Sequence, residues 1–472
     1  MKLLLFSLLL HFSSFYIQAQ SAQNYIINIE FFPSDAKMWN YPVANDAFMR
    51  GNSQVKLSEI NTDSLFFYLH GELKVDSIIS NHQRIEYNSN KVLYDYSFNM
   101  VALKTTFDAS KLESTSHIDI YYSGFFNPSK ARSLSDYMHI NKNKGVYLRS
   151  YGYSLWFPIF IEPEQDSYSA SFEKITVKTP ENLKTIVTGE LLNETLENGI
   201  ITTVWKPGTL NITDLQCTAR EYNVLTRENI SVYYTQAPDK ANKILEFTKE
   251  LKNIFNKNLK EINKSSSLFI IEMPKYGNIS SQNVIGISED VYNDFENNLY
   301  SKLTIAHELV HPYTLIPTSK DNPFAALVVE GFPSFFHLYG LKKTTLNQDF
   351  ELKEYMGQVE KNYLIKKETG KDRRGNKLPV EKPILKISYD EIGDYKDRFV
   401  LSDRVRLFLY QLWTTMGNQD FDKFLKELFD FRSIDYESFE KLIVKYIPNY
   451  NEKLNVWLHT SEYPKSIRIN SD

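Results

Sequence analysis

The chain has 472 residues, 42% hydrophobic and 24% charged, which is enough apolar material for two or three cored domains and too much for a disordered tail. Fifty-four Lys plus Arg stand against 58 Asp plus Glu, a net charge of -4, so no basic field exists to grip a phosphate backbone and nucleic acid is not an expected partner. Thirty-one Tyr and 31 Phe beside only 17 Gly and 17 Pro favour aromatic strands packed against helices, an α+β multidomain protein.

Residues 1–20 carry Lys2, an apolar run from Leu3 to Leu10 and a small, polar exit at Gln18, Ala19 and Gln20, the pattern of a secretory signal peptide. A secreted or periplasmic chain is expected, with no transmembrane segment once that run is removed. Cys217 is the sole cysteine, so neither a lipid-modified N-terminus nor an intramolecular disulfide is expected.

From residue 21 to 234 the pattern is one of short alternating runs broken by polar turns: Tyr25 to Ile29, Ser64 to Leu69, His117 to Tyr122, Phe172 to Val177, Ile200 to Trp205 and Ile230 to Tyr234. This predicts an N-terminal β domain. After Pro238 the period changes, and Ile244, Leu245, Phe247, Leu251, Ile254 and Phe255 fall at helical spacing within Ala241 to Leu259. Strands are predicted at Leu268 to Ile271 and Val284 to Ile287, and a helix from Glu296 to His311. Residues 235–345 are therefore expected to mix helix and strand in a second domain and 346–472 to be its helical remainder, with helices at Val405 to Met416 and Asp420 to Phe431. Lys366 to Lys377, basic and Gly-containing, reads as a solvated loop.

Chemistry concentrates in Ile305-Ala306-His307-Glu308-Leu309-Val310-His311. Two histidines four apart share one helical face and are able to share one metal, while Glu308 lies one step round the turn, within reach of a metal-bound water. Zinc needs a third protein ligand and an open position for that water. Glu330 is the candidate, eighteen residues beyond His311, on a short helix that Asn322 caps and Pro323 opens. The neighbours Leu299, Leu303, Ile305, Ala306, Leu309 and Val310 predict a buried helix, in which an unpaired histidine or glutamate is costly.

With HExxH, eighteen residues and then Glu in Val329-Glu330-Gly331-Phe332, the chain resembles the gluzincin zinc aminopeptidases of the alanyl aminopeptidase and leukotriene-hydrolase type. Trp156-Phe157-Pro158-Ile159-Phe160-Ile161-Glu162-Pro163 is similar to a W-x-P-x-x-x-E-P turn in that family's N-terminal domain, and Val456-Trp457-Leu458 with Tyr463-Pro464 to its closing segment. The resemblance implies a saddle-like β domain, a thermolysin-like catalytic domain and further helices. It also implies one zinc per chain on His307, His311 and Glu330, Glu308 as general base, and a peptide substrate trimmed from its N-terminus. Glu289, in Gly286-Ile287-Ser288-Glu289-Asp290, occupies the place of the glutamate that binds the substrate α-amine.

Several positions depart from the family pattern. Pro312 and Pro333 are expected to end or bend the two ligand-bearing helices. His337 stands where a supporting glutamate is usual, and is either a core histidine or a further member of the site. Counting back from Gly417 to the family's transition-state tyrosine reaches Ser402, which reads as a helix cap. Tyr395 and Tyr389, seven and thirteen residues earlier, are the substitute phenols. Two other readings stay open: a zinc-retaining binding or scaffold protein with weakened catalysis, and an endopeptidase.

Overall fold

The computed structural model describes residues 21–32, 47–58, 60, 62–95, 100–110, 112–113, 115–126, 138–141, 145–149, 155–160, 169–259, 267–273, 279–314, 316, 318–319, 321–345, 350–372, 375–393, 400–464 and 469. The predicted signal segment, Glu162, Pro163 and Tyr395 lie outside these residues. The chain divides into two compact units, Met1–Glu221 and Tyr222–Asp472.

Sheets of nine, four and three strands build the first unit. Strand Ser21–Phe32 pairs parallel with Ser169–Pro180 and antiparallel with Ala47–Ser58. Alternation along Ser21–Phe32 puts Tyr25, Ile27, Ile29 and Phe31 on one buried face. There Tyr25 stacks on Phe172 at 5.2 Å and meets the edge of Phe157 at 5.6 Å, so the segment after Trp156 is anchored by rings. Cys217, buried in strand Gln216–Arg220, is a packing residue, and desolvation raises its thiol pKa.

The second unit begins earlier than the periodicity indicates. Strands Asn223–Arg227 and Ile230–Tyr234, which alternate like those before them, form a hairpin that joins the second unit's five-stranded sheet instead. Ile230–Tyr234 lies parallel to Leu268–Met273, which lies parallel to Val284–Ser288. Every residue of Leu268–Met273 is buried, as expected of a central parallel strand covered on both faces.

Helix α1 (Pro238–Asn258) crosses between the first two parallel strands, and α2 (Glu289–Asn293) comes after the third. Helices α3 (Leu299–Thr314), α4 (Phe332–Lys343), α5 (Leu352–Thr369), α6 (Val405–Met416), α7 (Asn418–Leu428), α8 (Tyr436–Tyr446) and α9 (Asn451–His459) complete the unit. They enclose one apolar core in which Phe332, Phe336, Phe408, Phe424 and Phe439 are fully buried. Part of the predicted basic loop is helical: α5 runs on to Thr369 and stops at Gly370, whose φ of 62° suits glycine, before the turn that pairs Lys371 with Lys377. Among the described residues no helix is long and apolar enough to cross a membrane.

Candidate metal centre

Helix α3 starts where the Asn298 side chain accepts the Tyr300 N–H at 2.9 Å. Its apolar residues face the core almost all round: from Leu303 to Thr314 only His307 and His311 are not buried. Those two rings meet edge to face with centroids 4.8 Å apart. Pro312 does not stop the helix at the histidines; the helix continues to Thr314. Proline withholds the N–H that would bond the Glu308 carbonyl, and the helix ends within one turn, where the Thr314 hydroxyl donates to the Val310 and His311 carbonyls at 3.4 and 3.3 Å.

The expected helix at Phe324 is present but longer. Asn322 Oδ1 accepts the Phe324 N–H at 2.8 Å, and the helical path then runs unbroken through α4. Its centre is a π-turn, Leu327–Gly331, in which the Phe332 N–H reaches back five residues to the Leu327 carbonyl. The turn accommodates Pro333, which has no N–H for the Val329 carbonyl that an α-helix would assign to it. From Phe324 to Leu341 only Val329 and Glu330 are not buried, so this helix too opens at its candidate ligand.

Together the two helices bring donor atoms of His307, His311 and Glu330 within 4.8 Å of one another. His307 Nε2 stands 3.6 Å from Glu330 Oε2. Two ligands each ~2.1 Å from a tetrahedral ion are about 3.4 Å apart, so these groups fit zinc. Burial pushes the His311 imidazole down to about 4, with the neighbouring His307 charge adding to the effect. Burial also works against the His307 cation, but the adjacent Glu330 carboxylate, with Glu308 beyond, outweighs it and raises His307. Two imidazoles beside a carboxylate are a donor set that a divalent cation takes in place of the proton shared there. Glu308 is nearly buried on the same turn, 9% exposed.

His337 belongs to this layer. It is 2% exposed, its ring meets that of His307 at 5.3 Å, and its Nδ1–H donates to the Pro333 carbonyl at 2.7 Å. Burial first and the Arg406 charge second hold it well below the usual imidazole range, so it is a neutral ring bracing His307. Glu289 is the first residue of α2, one position after Ser288, whose hydroxyl caps that helix by accepting the Val291 N–H at 3.3 Å. Ser402 is not a cap: it lies inside a second π-turn, Val400–Arg404, that runs into α6. Tyr389 opens the 3-10 turn Tyr389–Gly393, half-buried against the apolar core.

Sequence reasoning missed Arg406. Its Nε–H donates to the Ser334 carbonyl at 2.7 Å, on the helix that bears Glu330. The available signal was spacing, since Arg406 lies one helical turn beyond Ser402.

No protein-family model and no curated protein sequence matches the chain. Solved structures do. The M1 zinc metallopeptidase from Deinococcus radiodurans is similar with a TM-score of 0.61 and 14% identity over 95% of this chain and 96% of that one. A variant of it bound to a Tyr-Ser-Ala substrate gives a TM-score of 0.62 at the same identity and coverage. Yeast LTA4 hydrolase in complex with bestatin gives 0.61 at 13% identity, over 94% of this chain and 68% of that one. By its architecture, then, the chain has the fold of the M1 zinc metallopeptidases and LTA4 hydrolase.

Proposed function

We propose that the chain is a zinc peptidase and, within that class, an aminopeptidase that hydrolyses the first peptide bond of substrates with a free α-amine. The observation that carries this reading is the convergence of three metal-ligating groups at the few open positions of two otherwise buried helices. His307, His311 and Glu330 would hold zinc, which would supply a Lewis acid and lower the pKa of the attacking water. Glu308 takes the proton of the attacking water as its oxygen bonds to the scissile carbonyl carbon, and returns it to the leaving nitrogen as the C–N bond breaks. Glu289 pairs with the substrate α-amine and thereby fixes which bond is cut. The signal-like pattern of residues 1–20 supports reading the chain as secreted or periplasmic.

The test combines metal analysis with turnover on peptides carrying free or acetylated N-termini. One zinc per chain is expected, with Glu308→Gln keeping the metal and losing at least about a hundredfold in rate. Free peptides should be shortened from the N-terminus and acetylated ones spared. Equal cleavage of both at internal bonds makes the protein an endopeptidase. A zinc-loaded wild type that cleaves no peptide of a broad panel makes it a binding protein.

A further inference from the structure

Three buried helical segments of the second unit each open at two positions. His307 and His311 are the open residues of α3, and Val329 and Glu330 those of the ligand helix. From Val400 to Leu412 the only residues not buried are Ser402 and Arg406. The third segment packs directly on the second: the two π-turns are in contact, and a Cβ on Gly331 would come within 3.3 Å of Val405. The small residue after Glu330 thus lets the first turn of α6 pack closely on the ligand-bearing turn.

Arg406 is held at this junction. Its Nε–H is anchored on the Ser334 carbonyl, one turn beyond Glu330, and the adjacent Pro333 carbonyl holds His337. Its Nη1 pairs with Asp403 Oδ1 at 3.7 Å, while Lys366 takes the other oxygen of that carboxylate at 2.5 Å. Its side chain is 18% exposed, and among the described residues Nη2 has no partner, so its N–H donors are left for a bound group.

We infer that Arg406 is the oxyanion donor of this site, its guanidinium replacing the phenol expected at Ser402 from one turn further along the same helical face. The assignment rests on the peptidase reading. When the water oxygen bonds to the carbonyl carbon, the C=O π pair moves onto the carbonyl oxygen and the water proton goes to Glu308. An Arg406 N–H donates to that negatively charged oxygen without transferring its proton. The pair returns as the C–N bond breaks and Glu308 protonates the leaving amine. Arginine suits this place because its long stem compensates for an origin one turn farther away, and because the Nε anchor and the Asp403 pair hold the guanidinium while leaving Nη2 to donate.

Arg406→Gln tests the assignment, with kinetics on free-amine peptides, metal analysis, melting temperature and calorimetric binding of a phosphinic dipeptide analogue, whose tetrahedral P–O⁻ mimics the charged oxygen. The expected result is a loss of about a hundredfold to a thousandfold in kcat with KM within about threefold. Zinc content and melting should be unchanged, and affinity for the analogue should fall while affinity for a product amino acid does not. Should that variant fail to fold, Arg406→Lys carries the test through a smaller kcat loss at unchanged KM. Wild-type kcat in the variant that folds, with the wild type active, overturns the assignment and leaves the peptidase reading standing. A KM increase confined to peptides with a free C-terminal carboxylate, compared with their amides, also overturns it, because Arg406 then anchors the substrate's far end. A zinc-loaded wild type inert on every peptide overturns the peptidase reading itself.

Discussion

Arg404, two residues before Arg406, performs a different task, and replacing it with methionine should show as lost stability. Its side chain is fully buried, ion-paired to Glu381, and its Nη2 donates to the carbonyls of Val456, Trp457, Thr460 and Glu462 at and beyond the end of α9. Methionine fills comparable space but leaves those carbonyls without their donor. Glu381 keeps Lys367 at 2.6 Å and the Tyr363 hydroxyl at 2.5 Å, which offsets part of the unpaired charge. Breaking a buried pair of this kind costs about 3–5 kcal/mol. For a unit of this size each kcal/mol lowers Tm by about 2–4 °C, so the midpoint should fall by about 6–20 °C. Thermal unfolding followed by near-ultraviolet circular dichroism measures this directly. A midpoint within about 3 °C of the wild type would refute the reasoning and mean that the carbonyls find other donors.

Glu330→Ala should abolish tight zinc retention, read by metal analysis after dialysis, and should remove any rise in melting temperature on adding zinc. His337→Ala takes away the ring that braces His307 and should weaken zinc affinity by about tenfold, measured by competition with a chelator. Tyr395→Phe and Tyr389→Phe should leave kcat unchanged if Arg406 supplies the donor; a loss in either, with zinc content unchanged, would return the role to a phenol. His70 accepts the Glu72 N–H at 3.2 Å, and burial, then the Lys91 charge, lower it to about 4. Its unfolded counterpart titrates near 6.5, so its contribution is fully present above that pH and is lost as pH falls towards 4, by up to about 3 kcal/mol. A His70→Asn variant should flatten this slope in unfolding curves taken across the range.

The residues of the candidate metal cluster were legible because their information is local. A histidine pair at helical spacing in an apolar run, with Glu330 after its own start signals, needs only periodicity and chemistry to recognise. Asn322 was readable for the same reason, since a cap is a contact between near neighbours in sequence. The boundary near Tyr222 was not legible, because the hairpin Asn223–Tyr234 has the alternation of any strand pair and its partner, Leu268–Met273, is fixed by tertiary packing. Arg406 escaped because the count towards a tyrosine assumed one register, in which Ser402 was the position to judge. Nothing in residue types alone announces that α6 is preceded by a π-turn or that the guanidinium finds the Ser334 carbonyl.

A π-turn holds one residue more than the α-turn it replaces, so the helix beyond it is rotated by about 100° relative to an uninterrupted continuation. The turns at Leu327–Gly331 and Val400–Arg404 are therefore phase adjusters, each setting the direction of the next helical stretch by chain length and not by side-chain identity. Losing a single residue from the first would swing the Pro333 and Ser334 carbonyls, and with them His337, away from the His307 ring. All three ligands would remain in the sequence. A descendant of this chain with an intact HExxH and glutamate but a one-residue deletion in either turn would carry the full signature of a metal site with its supporting groups aimed elsewhere.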